Sequence, residues 1–222
     1  MKLLLLPGMD GTGELFAPFA AEVSSWARVE IVRYPTHDVR SIDQLVEDIA
    51  PTVDEPVTVI AESFSTAVGI RLATRNKNVE RMVLAGSFVT PPTGTSLMRV
   101  FGRVPFLMQP PSFALRSFLI GSDASDELVT QVTSAISHVA PRVLADRLAQ
   151  ISRVDDVERL RALKIPLMTI SARQDRLVSA RVTAQMRAVI PGAKHVDLDA
   201  PHLLLQARPR ETAEHVRAFV RQ

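Results

Sequence analysis

The chain contains no cysteine among its 222 residues. This absence excludes disulfides, thiol nucleophiles, zinc ribbons and iron–sulfur ligation, and it makes a cytoplasmic location the simpler expectation. No unbroken apolar run reaches about 18 residues, so we expect no membrane span. The net charge is only +2, from 26 basic and 24 acidic residues, and gives no reason to expect a nucleic-acid partner. With 46% apolar residues, the composition is that of a globular protein.

Short apolar runs alternate with helix-like stretches along the chain. The runs rich in Val, Ile and Leu predict buried strands at Lys2–Leu6, Val29–Tyr34, Val57–Ala61, Arg81–Ser87, Leu167–Ser171 and His195–Leu198. The stretches between them predict helices at Glu14–Trp26, Ser41–Ala50, Ser63–Arg75, Ser179–Ile190 and Arg208–Val220, with Ser41 and Ser179 as N-caps. This alternation predicts an α/β protein with a mostly parallel sheet and helices on both faces.

Residues 89–140 interrupt the alternation, because they contain no strand signal. They are rich in Pro and Phe, and they predict short helices at Leu97–Phe101, Ser112–Ile120 and Asp126–His138, before Arg142–Ile151 returns the chain to the sheet. We interpret residues 89–140 as a helical cap or lid, and residues 1–88 and 141–222 as the core.

The strongest local signal is a buried strand that runs directly into Ser63. Small residues, Ala61 and Ser65, stand two positions before and two after it. This is the pattern of a nucleophile elbow with both glycines replaced, in which the serine is held in a strained backbone conformation. The alternative is that Ser63 is only the N-cap of the following helix.

The first strand is followed by Pro7-Gly-Met-Asp-Gly-Thr-Gly13, a turn with three glycines. It lacks the Lys-Ser/Thr end of a P-loop, and its glycine spacing is not the dinucleotide-binding fingerprint. One interpretation is an oxyanion loop, in which the backbone N–H groups of Met9 and Phe64 bind a tetrahedral intermediate. The other is a simple tight turn.

A serine nucleophile needs a base and an orienting carboxylate, each in a loop after a later strand. Asp175 follows the fifth predicted strand and His202 follows the sixth. The resulting order, Ser…Asp…His, is more specific than any single motif. Asp199 is the weaker alternative for the acid, because it lies only three residues from His202.

These segments together resemble the α/β-hydrolase superfamily. The likeness covers nearly the whole chain outside the insertion, which falls where that family carries its cap. Pro7 stands where the family usually has His, both elbow glycines are replaced, and the usual N-terminal antiparallel hairpin is missing, so we expect six strands. The resemblance implies a serine hydrolase with Ser63, Asp175 and His202 as catalytic residues and with no cofactor or metal.

The expected substrate is a carboxylic ester, or secondly a thioester, with a small to medium apolar acyl group. Candidate pocket residues are Phe106, Phe113, Phe118 and His37, the last as a structural group near the pocket. Three arginines of the insertion, Arg99, Arg103 and Arg116, would suit an anionic substrate or an acidic acyl carrier, or are simply solvated. A non-catalytic small-molecule binder that retains the fold is the alternative function.

Overall fold

The computed structural model describes residues 1–92 and 111–222. Six strands form one sheet, in the order β2-β1-β3-β4-β5-β6, and every neighbouring pair is parallel. The strands are β1 Lys2–Leu6, β2 Arg28–Ile31, β3 Val57–Glu62, β4 Val79–Ala85, β5 Leu167–Ala172 and β6 Lys194–Leu198. The predicted six-stranded α/β fold is therefore confirmed, and all of its strands are parallel.

Helices fill the connections between the strands. The helices of the described residues are α1 Ala17–Val23, α2 Ile42–Ile49, α3 Ser65–Arg75, α4 Ser112–Leu115, α5 Asp126–Ser137, α6 Pro141–Ile151, α7 Val157–Ala162, α8 Ala180–Val189, α9 Leu204–Ala207 and α10 Pro209–Val220. Short 3₁₀ turns cover Glu14–Phe16 and Ala50–Thr52, and a π-helical segment at Arg116–Ile120 continues α4. No helix of the described ranges is long and apolar enough to cross a membrane.

The sheet is buried on both faces, and its first strand shows this directly. Leu4 and Leu6 belong to a core cluster on one face, whereas Leu3 and Leu5 belong to a separate cluster on the other. All four side chains are fully buried. A strand with both faces covered gains from apolar residues at consecutive positions, which explains why its sequence is an unbroken leucine run.

Two predicted helix starts are confirmed in atomic detail. The Ser41 side chain accepts a hydrogen bond from the Gln44 N–H, and the Gln44 side chain accepts one from the Ser41 N–H, which is a complete capping box. The Ser179 side chain caps α8 by accepting from the Val182 N–H.

Two predicted boundaries are wrong for identifiable reasons. The second strand ends at Ile31 instead of Tyr34, because the Tyr34 N–H leaves the sheet and donates to the Gly11 carbonyl at 2.8 Å. The third helix begins at Ser65 instead of Ser63, because Ser63 has φ +50°, which no α-helical residue adopts.

The described part of residues 89–140 lies against the loops that follow the strands. Leu119 and Ile120 share an apolar cluster with Leu15, Leu177 and Leu203, which belong to three different loops of the core. The Leu203 N–H also donates to the Leu119 carbonyl at 2.9 Å. The predicted helix Leu97–Phe101 lies outside the described residues, and the division into core and cap stays a prediction.

Candidate active site

The loops after β1 and β3 begin side by side. Strand β1 lies next to β3, with Leu6 opposite Ala61, although the chain visits β2 between them. The strand order therefore reverses at this point, and open α/β sheets bind their ligands at such reversals, beyond the carboxyl ends of the strands. The glycine-rich turn that starts at Pro7 consequently adjoins Ser63.

Ser63 occupies a sharp turn between β3 and α3. Among the described residues it is the only non-glycine with a positive φ, at +50°. Its N–H donates to the Ala85 carbonyl and its own carbonyl accepts from the Thr66 N–H, at 2.9 and 3.0 Å. Backbone contacts on both sides thus hold a conformation that an L-residue adopts only at a cost.

Helix α3 packs closely on the sheet beside Ala61. A Cβ added to Gly69 in α3 would lie 3.1 Å from the Ala61 Cβ. A larger side chain at position 61 would push α3 away from β3 and displace the turn at Ser63. The small side chain of Ala61 therefore suits the close approach of α3 to β3.

His202 joins Ser63 to Asp175 in one hydrogen-bonded chain. The His202 Nε2 lies 2.9 Å from the Ser63 Oγ, and its Nδ1 lies 2.7 Å from the Asp175 Oδ2. The His202 and Asp175 side chains are each only 3% exposed. In the tautomer whose Nδ1–H donates to Asp175, the Nε2 is free to accept the Ser63 proton.

The Asp175 carboxylate is fixed by its own loop. Its Oδ1 accepts from the Leu177 and Val178 N–H groups at 2.8 Å each, which aims Oδ2 at His202. Asp199, the alternative acid, accepts a hydrogen bond from the Gln174 side chain at 2.7 Å. The structure therefore brings Asp175, rather than Asp199, to the imidazole.

Gly86, directly after β4, allows the His202 ring to approach the sheet. Gly86 has φ +56°, and a Cβ there would lie 3.2 Å from the His202 carbonyl oxygen and 3.4 Å from its Cε1. A side chain at this position would therefore strain the backbone and also come into steric contact with the imidazole.

Two backbone N–H groups next to the site, those of Met9 and Phe64, have no hydrogen-bond partner among the described residues. Phe64 stands immediately before α3, so its N–H belongs to the positive end of that helix. Such an arrangement can stabilise an oxygen that acquires negative charge beside Ser63.

Ser65, two residues after Ser63, makes contacts that the sequence did not suggest. Its hydroxyl donates to the Pro7 carbonyl and lies 2.6 Å from the Tyr34 hydroxyl. Ser65 therefore supplies a direct tie between α3 and the turn after β1. Sequence spacing does not predict this contact, because it depends on which segments of the chain lie together in space.

Glu62 is a buried carboxyl directly before Ser63, and sequence reasoning also missed it. Its Oε2 accepts a 3.3 Å hydrogen bond from the Gln206 side chain, and its Oε1 has no partner among the described residues. Burial, and after it the neighbouring Asp10 carboxylate, raise the pKa of Glu62 from 4.5 to about 7, against the opposing effects of His202 and of hydrogen bonds from Gln206 and the Gly8 backbone.

The pKa of His202 results from opposing effects. Burial alone lowers it, but the charge and the hydrogen bond of Asp175, together with the charge of Glu62, outweigh burial and raise the pKa above 6.5. Raising the pKa of an imidazole makes it a stronger base toward the Ser63 hydroxyl.

The predicted pocket residues lie in different environments. Phe118 is partly buried against the cluster that contains Leu15 and Leu203, whereas Phe113 is 71% exposed. His37 lines a surface groove with Tyr34 and neighbours, and none of Ser63, Asp175 and His202 lines that groove. Phe106 lies outside the described residues.

Of the three insertion arginines, the structure describes Arg116, and its side chain already has partners. Arg116 donates to the Ala124 carbonyl and forms an ion pair with Asp126, both within the insertion itself. Arg99 and Arg103 lie outside the described residues. In the part of the chain that is described, no cluster of three or more His, Asp or Glu side chains is arranged to hold a metal ion.

The sequence profile of the alpha/beta hydrolase family matches residues 3–215. The chain belongs to this family. The match covers both the strand-loop segments and the insertion, so the resemblance inferred from the motifs is confirmed. No curated protein matches this α/β-hydrolase in sequence.

Solved structures share the fold of this α/β-hydrolase at low sequence identity. An enol-lactonase from Burkholderia xenovorans LB400 has a TM-score of 0.83 and 19% identity, over 100% of this chain and 91% of that one. A bromoperoxidase from Bacillus anthracis has a TM-score of 0.83 and 19% identity, over 100% and 92%. A thermophilic esterase from Thermogutta terrifontis has a TM-score of 0.82 and 18% identity, over 100% and 89%. These likenesses establish the fold, and the chemistry has to be argued from the site.

Proposed function

We propose that this α/β-hydrolase is a serine hydrolase that cleaves a carboxylic ester, or secondly a thioester, of a small to medium, largely apolar acyl group. The observation that carries the proposal is the chain of hydrogen bonds from Ser63 Oγ through His202 to Asp175, at 2.9 and 2.7 Å. These are the distances at which a base can remove a hydroxyl proton and a carboxylate can orient that base.

In the proposed reaction, the Ser63 Oγ attacks the acyl carbon while His202 Nε2 takes its proton. The carbonyl oxygen becomes an oxyanion that accepts from the Met9 and Phe64 N–H groups. Collapse of this intermediate expels the alcohol or thiol, which receives the proton from His202. Water then attacks the acyl-Ser63 ester with His202 as base, and the carboxylic acid leaves.

The apolar character of the acyl group is supported by the cluster around Leu119, Leu177 and Leu203. This cluster joins the described part of the insertion to the loops that carry Asp175 and His202. An apolar acyl chain beside it would be removed from water on binding. The names of two structural neighbours, an enol-lactonase and an esterase, refer to acyl–oxygen compounds, in agreement with this class.

A fluorophosphonate probe followed by peptide mass spectrometry tests the nucleophile. We expect the probe on Ser63 in the parent and no labelling of Ser63→Ala. A panel of p-nitrophenyl esters and acyl thioesters then separates the two substrate classes. A parent protein that neither reacts with the probe nor turns over any panel member would instead be the non-catalytic binder.

A further inference from the structure

Arg147 is an arginine on the buried face of α6, the helix that follows the insertion. It shares that face with Val143, Leu144 and Ile151, and its side chain is only 2% exposed. A buried guanidinium normally pairs with a carboxylate, because an uncompensated charge is costly to desolvate. All three hydrogen bonds of Arg147 to described residues instead go to backbone carbonyls.

Two of these carbonyls belong to the turn after β1. The Arg147 Nη1 donates to the Met9 and Asp10 oxygens, and its Nη2 donates to the Pro35 oxygen in the loop after β2, all at 2.8 Å. One planar side chain thus bridges two loops. A guanidinium suits this task, since its donors point in fixed directions within one plane.

The remaining carbonyls of the turn are also occupied. The Pro7 oxygen accepts from the Ser65 hydroxyl, and the Gly8 oxygen accepts from the Gly11 N–H at 3.1 Å. Every carbonyl from Pro7 to Asp10 therefore has a donor. The Met9 N–H shares a planar peptide group with the Gly8 carbonyl, so the Gly11 N–H that binds this carbonyl also sets the direction of the Met9 N–H. Arg147 holds the two peptide groups that follow, through the Met9 and Asp10 carbonyls.

The guanidinium also packs against the second proposed oxyanion donor. Its Cζ lies 5.9 Å from the centre of the Phe64 ring and 5.6 Å from that of Tyr34. Gly11 makes room for it, since a Cβ there would fall 2.5 Å from Nη1. The contacts of Arg147 therefore reach the segments that carry both N–H groups.

We propose that Arg147 is a positioning residue for the oxyanion-binding turn: its fork of hydrogen bonds to the Met9, Asp10 and Pro35 carbonyls holds the Met9 N–H toward the substrate oxygen. The inference rests on the proposed serine-hydrolase function and adds a residue outside the Ser63–His202–Asp175 chain. The proposal gives α6, the helix after the insertion, a role in the chemical step.

The test compares Arg147→Met, which loses charge and donors, with Arg147→Lys, which keeps the charge but not the fork. We expect kcat to fall about 10- to 100-fold in Arg147→Met and about 10-fold in Arg147→Lys, with KM within about twofold of the parent. Affinity for a trifluoromethyl ketone, which forms an oxyanion on the nucleophilic serine, should fall with kcat.

Two arginines serve as matched controls. Arg142 is exposed on the same helix and donates to the His37 carbonyl, and Arg71 is a mostly buried arginine paired with Asp43 and Asp156. Arg142→Met should leave kcat and ketone affinity unchanged. Arg71→Met should lower the melting temperature without a selective loss of kcat.

Ser63→Ala, measured in parallel, separates the two claims. If Ser63→Ala keeps parental turnover, the proposed function fails. If Ser63→Ala is inactive but Arg147→Met and Arg147→Lys retain parental kcat and ketone affinity, the positioning role is overturned and the function stands. Equal kcat losses in Arg147→Met and Arg71→Met at equal destabilisation would also overturn it. Should Arg147→Met fail to fold, Arg147→Lys decides by the same criteria.

Discussion

Glu62, the residue before Ser63, accepts a hydrogen bond from Gln206, whose Nε2 lies 3.3 Å from the Glu62 Oε2. The contact links the residue before Ser63 to α9, which begins two residues after His202. Both side chains are buried, and one oxygen of each has no hydrogen-bond partner among the described residues. A carboxyl in this setting holds its proton up to a higher pH than usual, because burial penalises its charged form.

Glu62→Gln should change how stability depends on pH. The pKa of Glu62 rises from 4.5 to about 7 on folding, so the folded protein binds this proton more tightly than the unfolded chain does. Glu62 therefore contributes a loss of stability as pH rises from 4.5 to about 7, on the order of 3 kcal/mol. Urea unfolding at pH 5 and pH 8 should show Glu62→Gln gaining on the parent at the higher pH.

Glu47, exposed on α2, provides the control for this experiment. Glu47→Gln should track the parent at both pH values. A Glu62→Gln variant whose stability relative to the parent is the same at pH 5 and pH 8 would show that Glu62 does not carry the shift.

Ser63→Gly should be more stable than Ser63→Ala, although glycine usually destabilises. Both variants lack the hydroxyl, but only glycine adopts φ +50° without strain. We expect a difference of about 1 kcal/mol in the free energy of unfolding, and a loss of about 10³-fold or more in ester hydrolysis for both. Thermal unfolding and turnover assays measure the two effects.

Ala73→Gly, in the interior of α3, is the control and should lower the free energy of unfolding, because glycine costs about 1 kcal/mol in a helix interior. Equal stability of Ser63→Gly and Ser63→Ala would mean that the elbow stores no backbone strain.

The activity of the parent should rise with pH along a limb that reports His202. Asp175 and Glu62 raise the pKa of His202 above 6.5 against the effect of burial, so the neutral base becomes available only above that pH. Asp175→Asn removes the charge that raises the pKa, and should move the limb to lower pH while kcat falls about 10³- to 10⁴-fold. The pH dependence of kcat/KM measures both.

Asp199→Asn is the matched variant for this prediction, because Asp199 bonds Gln174 instead of the imidazole. It should preserve both the limb and kcat. A silent Asp175→Asn beside a damaging Asp199→Asn would reverse the assignment of the acid.

We expect esters of medium acyl chains to be hydrolysed in preference to acetyl esters. Each methylene that is buried on binding contributes about 0.8 kcal/mol, so each should increase kcat/KM by up to about fourfold. Phe118→Ala should flatten this dependence, since Phe118 packs against the cluster beside the His202 loop. Phe113→Ala, at an exposed position, is the comparison variant. Acetyl to decanoyl esters supply the series, and a steady fall from acetyl onward would contradict the acyl pocket.

The sequence by itself determined the fold class and the three residues on which the proposed chemistry depends. Unbroken apolar runs such as Leu3–Leu6 indicate strands buried on both faces, because only such strands gain from apolar side chains at consecutive positions. Ser63, Asp175 and His202 each lie in the segment that follows a strand, and parallel strands bring their carboxyl ends to one edge. Local pattern and chain order were therefore enough to place these three together.

Only the tertiary structure decided what surrounds these residues. Arg147 stands at a core position of its helix, and nothing in the sequence specifies which carbonyls, more than a hundred residues away, satisfy its donors. The pKa of Glu62 likewise depends on burial and on the charge of Asp10, which lies near it because β1 and β3 are neighbours in the sheet. Desolvation and hydrogen bonding are set by distances in space, and a sequence fixes those distances only through the complete fold.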